Sequence, residues 1–163
     1  MGEKQAPQDG AGLTGDTPPV GAQVDYPHRR VLAVFDDPAG VDAAVAAIEA
    51  RGIPETDIER FVGPAGAHAF DGTGERHGPG ARIRRALDFS LMDQMPAMAW
   101  YEAALREGRI VLAVATRDRR TTLEVVDAIT GAGGHFINRF GRLATEEFAR
   151  WRGPEPALPD LLK

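Results

Sequence analysis

Asp71 and His77 bracket a glycine-rich run, Asp71-Gly72-Thr73-Gly74-Glu75-Arg76-His77-Gly78, and Arg82, Arg84 and Arg85 follow directly. A carboxylate and an imidazole in one loop can form a hydrogen-bonded acid–base pair. Arginines at the start of a helix suit an anion, because helix N-termini present unpaired N–H groups. The glycines at 72, 74, 78 and 80 form no P-loop, since no Gly-Lys-Ser/Thr follows. Nor do they form a dinucleotide turn, which joins a strand directly to a helix. The competing structural role is modest: Asp71 and His77 pin the loop backbone, and the arginines pair with acids such as Glu75 and Asp88.

Other chemistries find less support. The four histidines are His28, His68, His77 and His135. His68, Asp71 and His77 share one predicted loop, but there is no His-x-x-x-His pair and no cysteine to assist, so Asp71 and His77 read as loop-holding groups and no metal is expected. The lack of cysteine also excludes disulfides, iron–sulfur clusters and thiolate nucleophiles. Ser90, the only serine, lacks a Gly-x-Ser-x-Gly elbow and falls inside a predicted helix. Met92, Met95 and Met98 with Trp100 and Tyr101 could line a haem pocket, but methionines at helical spacing more often fill a core or an interface. No cofactor is therefore expected.

The elements that must position these groups show an internal repeat. Val31-Leu32-Ala33-Val34 recurs as Val111-Leu112-Ala113-Val114, and each copy has the continuous apolar character of a central strand. Asp36-Asp37-Pro38 after the first copy is a helix start, with Val41, Ala44, Val45 and Ile48 at helical spacing and Gly52 as a stop. Ile58 to Val62 then predicts a second strand. After the second copy, Leu123, Val126 and Ile129 mark a helix face, Gly131, Gly133 and Gly134 end it, and His135 to Phe140 predicts a strand. Two such halves predict an α+β fold of ferredoxin-like split βαβ type, with the repeated strands adjacent in an antiparallel sheet. One asymmetry stands out: where the first repeat has Asp36 and Asp37, the second has Arg117, Asp118, Arg119 and Arg120, and basic residues there oppose the helix dipole.

An insertion, 63–108, separates the halves. It reads as a glycine-rich loop through Gly80, a helix over Ala81 to Met92, and a second helix over Pro96 to Glu107 presenting Met98, Tyr101 or Glu102, and Leu105. Thr145 with Glu146 and Glu147 predicts a last short helix. The predicted core includes Val31, Ala33, Val45, Ile48, Val111, Ala113, Leu123 and Ile129. Residues 1–27, rich in glycine and proline, read as a disordered arm, 28–152 as the folded domain, and 153–163 as a flexible proline-rich tail ending in Leu158-Pro159-Asp160-Leu161-Leu162.

A net charge of -5 argues against general nucleic-acid binding, which needs a basic surplus. No apolar run approaches a membrane span and Met1 to Tyr26 has no signal-peptide core, so a soluble cytoplasmic protein is expected. The Asp71–Gly78 run with Arg82 and Arg85, together with Gly133-Gly134-His135-Phe136-Ile137-Asn138-Arg139-Phe140-Gly141-Arg142, resembles the general stress protein 17M-like (heat-induced stress protein) family of small bacterial proteins, over roughly Arg30 to Arg150. The resemblance implies a stress-associated role and carries over no catalytic residues. The expected function is a non-enzymatic binding or interaction protein. Its ligand- or partner-binding surface would be Asp71, His77, Arg82, Arg85, His135 and Arg142. The partner is an unidentified protein or an anionic small molecule. The alternative is an anionic-ligand-binding domain or an enzyme using the His77 loop and its neighbouring arginines. Ferredoxin-like sheets often pair face to face, so a homodimer is a further expectation.

Overall fold

The computed structural model describes residues 29–70, 95–141 and 144–158. The elements are β1 (Arg30–Phe35), α1 (Pro38–Glu49), β2 (Ile58–Val62) after a 3-10 turn, α2 (Gly63–Phe70), α3 (Met95–Arg106), β3 (Ile110–Ala115), α4 (Arg119–Gly131), β4 (His135–Phe140) and β5 (Thr145–Ala149). The class is α+β. The strands form one antiparallel sheet in the order β2-β3-β1-β4-β5.

The repeated tetrapeptides lie side by side and pair with each other: Val31 faces Val114, Leu32 faces Ala113, Ala33 faces Leu112 and Val34 faces Val111. Each repeat opens its helix with the same device. Asp37 accepts from the Gly40 N–H at 2.8 Å and Asp118 accepts from the Thr121 N–H at 2.8 Å. Such caps satisfy donors that the first helical turn leaves unpaired.

The central strands are apolar throughout because both faces of the sheet are covered. On one face, Val31, Ala33, Phe35, Ile110, Leu112, Val114 and Ile137 pack under α1 and α4. On the other, Leu32, Val34, Val111, Ala113, Phe61 and Phe140 pack under α2 and α3, which contribute Ala67, Met98, Tyr101, Ala104 and Leu105. The expected core residues Val31 and Ala33 thus belong to one layer, Val111 and Ala113 to the other.

Four expectations change. Residues 63–70 are helical, not loop, so His68 belongs to α2. The insertion does more than separate the halves: both its ends roof the second face of the sheet and supply part of the core there. Leu123 is 46% exposed, while Thr122 is buried in its place. Thr122 can be buried because its hydroxyl donates to the Asp118 carbonyl at 2.8 Å and lies 3.1 Å from the Thr116 hydroxyl. Finally, 145–149 is a strand, not a helix. It pairs with β4, which would otherwise be a free edge, and Gly141 N–H closes the hairpin onto the Ala144 carbonyl at 2.9 Å. The predicted helix over Ala81 to Met92, with Ser90 and Met92, lies outside the described residues. No helix among the described residues is long and apolar enough to cross a membrane.

Candidate functional site

Antiparallel pairing brings an end of all five strands to one end of the sheet, β2 finishing at Val62 opposite Ile110. β1 finishes there at Phe35, β3 starts at Ile110, β4 starts at His135 and β5 finishes at Ala149. The residues just outside or at these ends are Asp36, Arg109, His135, Trp151 and Arg152. They meet although up to 116 positions separate them in the chain (152 minus 36).

A bulge sets the geometry. Leu32 pairs with Asn138 and Val34 with His135, so β4 spends one residue more than β1 over this stretch. Phe136 is left-handed, with φ 47°, a conformation that costs a non-glycine residue about 1–2 kcal/mol. Packing offsets the cost: the Phe136 ring lies 4.9 Å from Tyr101, 5.6 Å from Trp100 and 5.5 Å from Trp151. Its N–H donates to the Arg150 carbonyl at 3.0 Å. The Tyr101 hydroxyl, fully buried, donates to the Phe136 carbonyl at 2.6 Å, lies 3.2 Å from the Leu32 carbonyl and accepts from Asn138 Nδ2 at 2.9 Å. Burial pushes the Tyr101 hydroxyl far above its ordinary range, so it stays a neutral donor.

The bulge delivers the His135 ring into a closed slot, 1% exposed. Nδ1 accepts from the Arg152 backbone N–H at 3.3 Å, which assigns the proton to Nε2, 3.4 Å from the Asp36 carboxylate. Trp151 stands edge-on to the ring at 5.1 Å. Burial lowers the His135 pKa; the Asp36 charge and hydrogen bond oppose this, while Arg152 and Arg109 add to it. Asp36 itself is not the helix cap, a role held by Asp37, and its side chain is 63% exposed.

Arg109 ties the cluster together. Its guanidinium lies 4.6 Å over the Trp151 ring, Nε is 3.6 Å from Asp36, and Nη2 donates to the Pro154 carbonyl at 3.1 Å. Its Nη1 is buried with no hydrogen-bond partner among the described residues. Residues 151–158 form a strap across this end. Trp151 Nε1 donates to the Pro154 carbonyl at 2.9 Å, Arg152 Nη2 donates to the Gly133 and Gly134 carbonyls at 2.7 and 3.2 Å, and Ala157 N–H donates to Glu107 at 2.9 Å. Pro156 is buried.

Chemically this is a clamp: both His135 nitrogens are engaged and the ring is shut away from solvent. Among the described residues no serine or cysteine stands near it, and no group of three or more His, Cys, Asp or Glu is placed to hold a metal ion. Of the residues expected from sequence, His135 is in this cluster. Asp71, His77, Arg82, Arg85 and Arg142 lie outside the described residues. Sequence reasoning took Asp36 only as part of a helix start and passed over Arg109, Trp151 and Arg152. No local spacing signals the cluster; only in the fold do both tryptophans of the chain meet in it, Trp100 lying 5.2 Å from Trp151. In the basic turn of the second repeat, Asp118, Arg119 and Arg120 have structural partners. Asp118 caps it, Arg120 pairs with Glu124 at 3.0 Å, and Arg119 binds Glu146 at 2.5 Å while lying over Phe148. No protein-family model matches the chain, and neither curated proteins nor solved structures show a significant similarity to it.

Proposed function

We propose that the chain is a non-enzymatic, stress-associated protein-interaction domain on a ferredoxin-like core. Its contact surface would combine the strapped end of the sheet with the segment Asp71 to Arg85. The order β2-β3-β1-β4, all antiparallel, with both repeat helices on one face, supports the ferredoxin-like reading, β5 being an added edge strand. The observation that carries the functional reading is the partly exposed stack of Trp100, Trp151 and Arg109. Tryptophan and arginine are the residues most enriched where binding energy concentrates. In the chain the segment Asp71 to Arg85 lies between α2 and α3, and α3 carries Trp100. The resemblance to general stress protein 17M-like proteins supports the stress association.

The test is affinity capture by the full chain from an extract of its host. Wild type is compared with Trp100→Ala and with Arg82→Ala combined with Arg85→Ala, each checked by thermal melting. A stoichiometric protein partner that both variants lose, at melting temperatures within a few degrees of wild type, supports the surface. Equal capture by the variants removes it, as does a loss of binding that only tracks a loss of stability. Native mass spectrometry of the captured material that shows a small anion or a second copy of the chain instead of a partner would also displace this reading.

A further inference from the structure

We propose that residues 151–158 are a pH-sensitive strap, latched by neutral His135 and released when its ring takes a second proton at Nδ1. The geometry carries this. Nδ1 is an acceptor for the Arg152 backbone N–H at 3.3 Å. A proton placed there turns the contact into two donors facing each other, and a ring 1% exposed has no water to turn toward. The other nitrogen cannot relieve the conflict, because it already faces Asp36 at 3.4 Å.

The charged groups around the ring come from every neighbouring element. Asp36, beyond β1, favours the protonated form. Arg109, before β3, and Arg152, on the strap, oppose it, and Glu107 is 3.8 Å from Arg109 and binds the strap at Ala157. Burial dominates and lowers the His135 pKa, so closure is complete above the ordinary histidine value of about 6.5 and is lost as pH falls below it. Release would undo a connected set of contacts: Arg152 on the Gly133 and Gly134 carbonyls, Arg109 on the Pro154 carbonyl, and Trp151 on His135 and Phe136. The device stands whether or not this end of the sheet proves to be the partner surface.

Hydrogen exchange of the full chain, read by mass spectrometry from pH 8 to 5 and corrected for intrinsic rates, tests it. Opening of the strap amides is expected to rise by up to about tenfold per pH unit below the histidine range, one proton being taken up per opening. Amides of β1 and β3 should stay protected. His135→Asn places an acceptor oxygen near Nδ1 without a titrating ring and should make strap exchange independent of pH. Asp36→Asn removes the charge that favours protonation and should move the transition to lower pH, which provides a second reading if the histidine variant folds poorly. Strap protection that ignores pH in wild type overturns the proposal. So does a transition retained in His135→Asn, unmoved in Asp36→Asn, or inseparable from unfolding of β1 and β3.

Discussion

Removing one oxygen atom, by Tyr101→Phe, tests what holds the bulge. The hydroxyl serves the Phe136 carbonyl at 2.6 Å and the Asn138 amide at 2.9 Å, and Tyr101 and Asn138 are both buried. Each buried polar group left without a partner costs about 1–3 kcal/mol. The two losses will not simply add, because Asn138 Nδ2 already lies 3.5 Å from the Phe136 carbonyl and can tighten onto it. The expected cost is therefore that of about one orphaned group, about 1–3 kcal/mol. At a urea dependence of about 1–3 kcal/mol/M, the unfolding midpoint falls by roughly 1 M with an unchanged slope. The pH profile adds a signature that packing alone does not give. Burial raises the Tyr101 pKa, so the folded chain resists losing this proton while the unfolded chain releases it at the ordinary value of about 10. Its contribution is fully present below that value and is lost as pH rises above it. The phenylalanine variant should lose that part of the alkaline destabilisation. A midpoint change worth under about 0.5 kcal/mol, or an unaltered alkaline limb, would show that the hydroxyl does not support the bulge.

Ile129→Ala, at a fully buried site, should cost about 2–5 kcal/mol, whereas Leu123→Ala six residues earlier on the same helix should stay within about 1 kcal/mol; comparable losses in urea melts would mean α4 is rotated from its described face. Gly134→Ala should destabilise by about 1–3 kcal/mol, because its added carbon would lie 2.4 Å from Ile129 Cγ2 and 2.9 Å from the Phe35 ring; an unchanged melting temperature would refute that packing.

What the sequence made legible follows from how local each signal is. The repeated Val-Leu-Ala-Val strands and the Asp37 cap are written in neighbouring residues, so composition and spacing suffice. The helix face of α4 is written locally too, but the buried position belongs to Thr122, which a hydrophobic pattern scores as polar. Its partners, Thr116 and Asp118, appear only once the turn is folded. Gly63-Pro64-Ala65-Gly66 reads as a loop by composition. In the fold Gly66 is what lets α2 rest on β2, since a side chain there would come within 2.8 Å of the Phe61 backbone. Thr145-Glu146-Glu147 has the local chemistry of a helix start, and the unpaired edge of β4 overrides it.

The clamp was the hardest to read because no stretch of chain contains it, yet the repeat narrows where it had to be. The paired strands β1 and β3 give the sheet two related ends, one beyond Phe35 and one beyond Ala115. At the second end the chain closes on itself with ordinary hydrogen bonds: Thr116 N–H donates to the Arg29 carbonyl at 2.8 Å, and Thr122 backs it. A threonine suffices there, so the fold does not require a carboxylate at such a position. At the first end Asp36 leaves the capping to Asp37 and instead faces His135 and Arg109. A charge that secondary structure does not use, next to a histidine shut away from water, is a local departure from what folding alone asks for, and such departures concentrate at functional positions. Comparing the halves of the repeat by what each end needs, rather than by how alike they are, therefore singles out the end with the strap.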